Sequence, residues 1–411
     1  MSTVEITPAP KRKSGLFGPG LLIAASFIGP GTVTTATVTG ANFGYALVWA
    51  IVFSIVATII LQEMSVRLGL AARLSTGEAL RQTFNSQIIK SLMIILVVSA
   101  IGIGGAAYAG GDTTGTALAL ASVTSLPHVA LSVGVAAVVL ILLLSGSYTF
   151  LEKVMTVLVA ILALTFVITA ISVRPDLGAM LRSTFIPTVP DGALLSAVAL
   201  IGTTVVPYNV FLHSNLVQEK WGDEPRDPAL KKARVDNVVS ISLGGLITLA
   251  IVATAAAVMF AQGLEATSAA DLAAPLRPML GDAAPWLLAI GLFAAGLTSA
   301  VAGPMGAAYA ICGVMGWPTD MKSQRFRIIV VVVVLFGAAI AISGFNPIQI
   351  IILAQAANGI LLPVITFFLL LTMNNKRLLG EHANSIVGNI LGGLIFLVTL
   401  VLGGLSLVDL F

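Results

Sequence analysis

Long apolar stretches follow one another along almost the entire chain, and this pattern limits the possible folds more than any other feature. Eleven such stretches can be traced in the 411 residues, separated by short charged or turn-rich segments. A membrane-spanning helix needs about 20 apolar residues, which most of these stretches supply. Only 9% of the residues are charged, against about 25% in a soluble domain, so a water-soluble globule is excluded. The sequence predicts an all-α integral membrane protein.

The eleven predicted spans account for nearly all of the chain beyond its first residues. They cover about 15–40, 45–66, 88–123, 128–144, 150–173, 192–217, 235–262, 285–315, 328–342, 347–373 and 384–407. The single cysteine, Cys312, excludes an internal disulfide, and no Cys/His cluster suggests a structural zinc site. No cofactor is expected.

Basic residues lie almost entirely on one side of the predicted bundle. With the N-terminus in the cytoplasm, all of the 21 Lys and Arg residues except Arg174, Arg182 and Arg277 fall in cytoplasmic segments. This distribution obeys the positive-inside rule. It predicts a multi-pass protein of the cell (plasma) membrane with a cytoplasmic N-terminus and an external C-terminus. The basic loops are interpreted as topology signals, so no nucleic-acid partner is expected.

Two of the spans contain residues that interrupt a membrane helix. The first span has Pro30 and Gly31 near its centre, and the sixth has Pro207. Proline removes a backbone donor and clashes with the preceding turn, while glycine lowers the resistance to unwinding. Unwound backbone inside a membrane persists only where it is buried in protein or lines a polar cavity. The breaks therefore indicate a binding site, although two ordinary proline kinks are the alternative.

The positions of the breaks also predict the domain organisation. They fall in the first helix of each of two sets of five, which is the pattern of two inverted repeats with the substrate site between them. The predicted segments are a cytoplasmic tail (1–14), a first five-helix repeat (15–173), an external loop (174–191), a second, inverted five-helix repeat (192–373), and an eleventh helix with the C-terminus (374–411).

Short segments in several spans form one larger pattern. They are Gly18-Pro19-Gly20, Gln62 with Met64, Ser65, Leu68 and Gly69, the run PYNVFLHSNLVQ at 207–218, Ala295-Gly296 with Thr298 and Ser299, Gln355 with Pro363, and Gly380-Glu381 with Asn384-Ser385. Together they resemble the NRAMP family of divalent-metal transporters over nearly the whole chain. The resemblance implies the LeuT-type fold and a transporter rather than an enzyme.

The chain departs from that family at the expected metal ligands. Where the family has Asp-Pro-Gly-Asn, with Asp and Asn as ligands, this chain has Gly29 and Thr32. The metal-binding Met of the sixth helix is replaced by Val206, and the following His by Tyr208. Gly29 thus removes the carboxylate expected at the ion, and Val206 removes the thioether that favours softer metals.

The groups that remain near the breaks are mostly neutral oxygens. The predicted binding residues are Ser26, Gly29, Thr32, Thr203, Val206, Tyr208, Asn209 and Gln355. Such donors suit a hard cation that keeps much of its water shell, above all Mg²⁺, with Mn²⁺ next. The pattern is similar to an NRAMP-related branch that transports magnesium and lacks the Asp-Pro-Gly-Asn motif. That resemblance implies passage of largely hydrated Mg²⁺ by alternating access with weak or no proton coupling.

Two ionisable residues within the spans are candidates for proton movement or gating. Asp112 occupies one position of the acidic pair that the family has in its third helix, and Ala109 occupies the other. His213 keeps the second His of the sixth helix. An ionisable group inside a membrane span is a functional candidate by default.

Three other functions stay open at this stage. One is proton-coupled Mn²⁺/Fe²⁺ transport, and another is a LeuT-fold carrier of an amino acid or other organic substrate, whose carboxylate would suit the exposed N-termini of broken helices. The third, a membrane enzyme or sensor, lacks a visible nucleophile–base pair or signalling domain. The chain is expected to work as a monomer in the lipid bilayer.

Overall fold

The computed structural model describes residues 18–145, 149–268 and 270–410, so the predicted tail 1–14 lies outside the described residues. These ranges contain helices and no strand. The α-helices are α1 (Pro19–Phe27), α2 (Pro30–Phe43), α3 (Val48–Leu70), α4 (Thr76–Thr83), α5 (Gln87–Ala121), α6 (His128–Ser145), α7 (Thr149–Val173), α8 (Leu177–Phe185), α9 (Leu194–Thr204), α10 (Pro207–Trp221), α11 (Arg226–Val258), α12 (Arg277–Leu280), α13 (Ala284–Met315), α14 (Gln324–Ala341), α15 (Pro347–Met373), α16 (Lys376–Leu379) and α17 (Ile386–Leu410). Short 3₁₀ turns lie at Phe260–Gln262, Asp271–Leu276, Gly281–Ala283 and Gly380–His382.

The membrane-spanning pattern predicted from apolar stretches is confirmed. Ten helical segments are long and apolar enough to cross a membrane, and α1 with α2, bent by 54°, makes an eleventh when counted as one span. Helix α5 is the longest, with 35 residues, which is about 50 Å of helix against a hydrocarbon core of about 30 Å. The helix boundary that differs most from its predicted position is the start of α11. It was predicted at about residue 235, but α11 begins at Arg226, because its charged first turns stay helical outside the apolar stretch.

Both predicted breaks exist, and proline fixes where each second half begins. In the first span, Gly29 is extended (φ −115°, ψ −174°) and Pro30 is the first residue of α2. In the sixth span, Val206 is extended (φ −82°, ψ 118°) and Pro207 is the first residue of α10. Proline suits a first helical position because its φ is already helical and that position needs no N–H donor. The breaks are therefore two helix ends facing two helix starts, in the middle of the bundle.

Glycine permits the close contact between α9 and α15. A Cβ added to Gly202 would meet the carbonyl oxygen of Gln355 and lie 2.5 Å from the backbone nitrogen of Gly359. A Cβ added to Gly359 would lie 2.6 Å from the carbonyl oxygen of Val198. Only hydrogen atoms fit at these two positions, so backbone packs directly on backbone. This contact fixes α15 against the first half of the sixth span.

The start of α1 is held by an acidic residue of α11. The backbone N–H of Gly20 donates to Asp236 Oδ2 over 2.6 Å. A carboxylate at a helix N-terminus satisfies a spare N–H and interacts favourably with the helix dipole. Any side chain at Gly18 would collide with the same carboxylate. The N-terminal end of α1, which is the end away from the break, is thus bound to α11.

A charged network joins three parts of the bundle where α3 ends. Arg67 donates to Glu63 (2.9 Å), to the carbonyl of His382 (2.9 Å) and to Asn384 Oδ1 (2.7 Å). Arg234 of α11 reaches the other carboxylate oxygen of Glu63 over 2.9 Å. The network connects α3 and α11 to the segment between α15 and α17.

Candidate functional site

Two side-chain hydrogen bonds join the broken helices at their breaks. Ser26 Oγ donates to Asn209 Oδ1 over 3.0 Å, which links the end of α1 to the start of α10. The hydroxyls of Thr32 and Thr203 lie 2.6 Å apart and link the start of α2 to the end of α9. All four residues are buried. The structure therefore brings four of the predicted binding residues, one from each half-helix, into two contacting pairs across the breaks.

The carbonyl groups released by the first break have protein donors. The Thr32 hydroxyl donates to the carbonyl of Phe27. The carbonyl of Ser26 accepts from Ser299 Oγ over 2.8 Å and from the Tyr108 hydroxyl over 3.4 Å. Unwound backbone in a membrane needs such partners. Ser299 and Tyr108, which the sequence did not single out as site residues, thereby belong to the surroundings of the break.

Asp112 lies directly beside the first break. A Cβ added to Gly29 would lie 3.1 Å from Asp112 Oδ1 and 3.0 Å from Ser299 Oγ. Asp112 is 0% exposed, and neither of its carboxylate oxygens has a hydrogen-bond partner. The absence of a side chain at position 29 leaves the room that this carboxylate occupies. The residue predicted for proton movement thus adjoins the predicted binding residues.

Two buried amides lie one turn apart on α15, and Gln355 is the one that reaches the first break. A Cβ on Gly31 would lie 2.6 Å from Gln355 Cδ, and one on Gly111 would lie 3.5 Å from Gln355 Nε2. Gln355 is therefore held between α2 and α5. Asn358, one turn further along α15, is also buried, and both amides lack hydrogen-bond partners. Asn358 was missed from the sequence, although an amide three residues from Gln355 in an apolar helix is a visible signal.

Three other predicted residues lie around the breaks with different partners. Tyr208 stacks edge-to-face on Tyr108, with ring centroids 5.5 Å apart, and its hydroxyl has no partner. His213 Nδ1 lies 3.0 Å from Gln62 Oε1 of α3, one turn beyond Asn209. Val206 is buried in the hydrophobic core at the start of α10. The ring of Tyr208 is thus packed as an aromatic pair, while His213 contacts α3.

The chemistry of the assembled site is that of neutral oxygen and amide groups around one carboxylate. Within the described ranges, no group of three or more His, Cys, Asp or Glu residues is arranged to hold a metal ion. Hydroxyls and amides both donate and accept, so they can bind either an ion or the water shell of an ion.

Comparisons with known proteins agree with this architecture. Residues 20–409 match the model of the family described as Nramp, natural resistance-associated macrophage protein-like. The chain is 30% identical over 407 residues to the divalent metal cation transporter MntH of Yersinia pestis (strain Pestoides F), covering 98% of this chain and 97% of that one. It is 29% identical over 394 residues to the protein of the same name in Caldanaerobacter subterraneus, covering 95% and 92%.

Solved structures show the same fold. The manganese transporter of Eremococcus coleocola superposes with a TM-score of 0.73 at 22% identity, covering 95% of this chain and 85% of that one. MhsT in complex with L-phenylalanine gives a TM-score of 0.62 at 15% identity, covering 97% and 100%.

The two broken helices and the structural neighbours define a multi-pass membrane protein of the LeuT-type fold. Within that class, the chain belongs to the Nramp family. The predictions of this family, of this fold and of a transporter rather than an enzyme are confirmed.

Proposed function

We propose that this chain carries divalent metal cations across the membrane by alternating access, with largely hydrated Mg²⁺ as its main substrate and Mn²⁺ as the second. The observation that supports the proposal is the pair of contacts Ser26–Asn209 and Thr32–Thr203, in which neutral oxygen groups of the four half-helices meet two by two across the breaks. Curated relatives named as divalent metal cation transporters support the substrate class.

The donor set favours Mg²⁺ for a physical reason. Mg²⁺ gives up its water reluctantly and usually binds through a few ligands while keeping several waters. Hydroxyl and amide groups such as those of Thr32 and Asn209 can hydrogen-bond to those waters. Val206 offers no sulfur, so the site has no group that prefers a softer transition metal. Mn²⁺ remains a second substrate because it also accepts oxygen ligands and water.

The hydrogen bonds between the breaks suggest how alternating access works. Ser26, Thr32, Thr203 and Asn209 are all buried, so the site is closed to water on both sides in this conformation. Opening toward either side separates α1 from α10 or α2 from α9, which frees the same hydroxyl and amide oxygens for the ion. The ion therefore replaces hydrogen bonds that hold the closed form.

Weak or absent proton coupling is part of the proposal. Ala109 stands where a second acidic residue of α5 would be required, and Tyr208 replaces one imidazole of α10. Asp112 and His213 remain as the acidic and imidazole groups near the breaks in the part of the chain that the structure describes. We further propose a monomer in the plasma membrane, with the N-terminus in the cytoplasm and the C-terminus outside, as the basic residues indicate.

Two other functions give different results in one uptake assay. A proton-coupled Mn²⁺/Fe²⁺ transporter would take up these metals in preference to Mg²⁺ and acidify the vesicle lumen. A carrier of an amino acid, as the fold of MhsT also permits, would take up labelled amino acid and no metal. Uptake into proteoliposomes of Mg²⁺, Mn²⁺, Ca²⁺ and labelled amino acids separates the three.

Thr32→Ala and Asn209→Ala are each expected to weaken Mg²⁺ and Mn²⁺ uptake. Each removes one oxygen ligand at the breaks, and the expected rise in KM is about tenfold, equivalent to about 1.4 kcal/mol. Initial uptake rates in proteoliposomes measure the change. Thr124→Ala is the matched control, because that exposed hydroxyl only caps the end of α5. Unchanged transport in both variants would show that the ion binds elsewhere.

A further inference from the structure

We propose that Asp112 is a direct ligand of the transported ion and supplies the single negative charge of the site. The inference rests on the proposed function, since it assigns a further ligand to the same ion. It changes the role of Asp112 from the movement of a proton to the binding of the metal.

The carboxylate adjoins the first break from the α5 side. Its Oδ1 lies 3.1 Å from the point where a Cβ of residue 29 would stand, and Ser299 Oγ lies 3.0 Å from that point. Ser299 in turn donates to the carbonyl of Ser26, whose own hydroxyl donates to Asn209. Asp112 is therefore continuous with the oxygen groups that join α1 to α10.

The carboxylate also has few partners of its own. Both oxygens are buried and accept no hydrogen bond of good geometry. Ser299 is the side chain that interacts with this carboxylate, but its hydroxyl donates to the carbonyl of Ser26, and a carboxylate removed from water without full partners is costly. Among the lysines and arginines that the structure describes, Arg67 is the buried one, and its donors are used by Glu63, His382 and Asn384. None of the described lysines or arginines is therefore available to neutralise Asp112, so its carboxylate can accept a cation from solution.

Glycines around the carboxylate let other polar groups approach it closely. Gly29 beside it carries no side chain, and Gly111, the residue before it, faces Gln355 and Ala354 of α15. The unpartnered amide of Gln355 is thereby placed on the same side of α5. One carboxylate oxygen, surrounding hydroxyls and an amide form a mixed oxygen set, as Mg²⁺ uses when it keeps part of its water.

Moving the carboxylate from position 112 to position 29 tests the proposal. The four proteins to compare are the unmodified chain, Asp112→Asn, Gly29→Asp and the double variant with both changes, each reconstituted in proteoliposomes. Asp112→Asn keeps the shape and removes the charge, so the KM for Mg²⁺ is expected to rise at least about tenfold. Gly29→Asp alone crowds two carboxylates together and is expected to lower uptake. The double variant returns the charge to the same space and is expected to recover a KM within about threefold of the unmodified chain.

A second measurement keeps the test valid if transport rates fall for structural reasons. Mg²⁺ should raise the melting temperature of the purified protein by binding its folded form, and Asp112→Asn should lose this rise. The control is Asp282→Asn, which neutralises an exposed acid outside the site and should keep both the rise and the uptake.

The outcomes separate this inference from the proposed function. An unmodified chain that takes up neither Mg²⁺ nor Mn²⁺ overturns the proposed function. Uptake by the unmodified chain together with an unchanged KM and melting shift in Asp112→Asn overturns only the role of Asp112. Loss in Asp112→Asn without recovery in the double variant shows a structural or proton-linked role and also overturns it. Loss followed by recovery supports a carboxylate that binds the ion.

Discussion

Gly202→Ala is expected to abolish uptake and to lower the melting temperature of the purified protein. The new methyl group would meet the backbone of α15 at Gln355 and Gly359, and a backbone cannot swing aside as a long side chain does. Overpacking of this kind costs about 1–3 kcal/mol. It also pushes α9 away from α15, which moves Thr203 relative to Thr32. Fluorescence-monitored unfolding in detergent and uptake in proteoliposomes measure the two effects.

Gly102→Ala and Gly393→Ala are the matched controls for this substitution. Nothing lies within 4 Å of the methyl group that either change adds. In a helix interior such a change is expected to be neutral or to stabilise by about 0.5–1 kcal/mol. A Gly202→Ala variant that melts and transports like these two controls would refute the direct backbone contact between α9 and α15.

Arg67→Ala is expected to destabilise the closed bundle strongly. The change leaves a carboxylate oxygen of Glu63, the carbonyl of His382 and the side chain of Asn384 without their donor. Removing one partner from a largely buried charged network costs about 2–4 kcal/mol, because the groups left behind stay desolvated. The expected result is a clear drop in melting temperature and reduced uptake.

Lys232→Ala provides the comparison for Arg67. Lys232 pairs with Glu224 over 2.7 Å, but its side chain is 56% exposed. An exposed pair of this kind contributes about 0–1 kcal/mol, so Lys232→Ala should melt close to the unmodified chain. Equal melting temperatures for the two variants would mean that the Arg67 network contributes no more than a surface ion pair.

Most of the fold could be predicted because the bilayer makes each span visible as an apolar stretch. The breaks were equally visible, since Pro30 and Pro207 interrupt those stretches and become the first residues of α2 and α10. The helix ends were less predictable. The start of α11 at Arg226 and of α14 at Gln324 lies in charged sequence, where hydropathy carries no signal although the backbone stays helical.

Part of the site could also be predicted, for a related reason. Four of the predicted binding residues lie within a few residues of a break, namely Ser26, Thr32, Thr203 and Asn209. Once the two breaks lie side by side, residues of the first span necessarily come close to residues of the sixth. The place of Asp112 beside Gly29 could not be derived, because it depends on how α5 is rotated and shifted against α2. The sequence shows that Gly29 carries no carboxylate, but it does not show that α5 brings the carboxylate of Asp112 beside Gly29.

Competition between Mg²⁺ and Mn²⁺ tests the central claim most directly. Proteoliposomes that contain the unmodified chain would report Mn²⁺ entry with one internal dye and internal pH with another, while external Mg²⁺ is increased. We expect that Mg²⁺ suppresses Mn²⁺ entry, enters the vesicles itself and leaves internal pH unchanged. Mn²⁺ entry that is unaffected by external Mg²⁺ and that acidifies the lumen would contradict the proposal of Mg²⁺ transport without proton coupling.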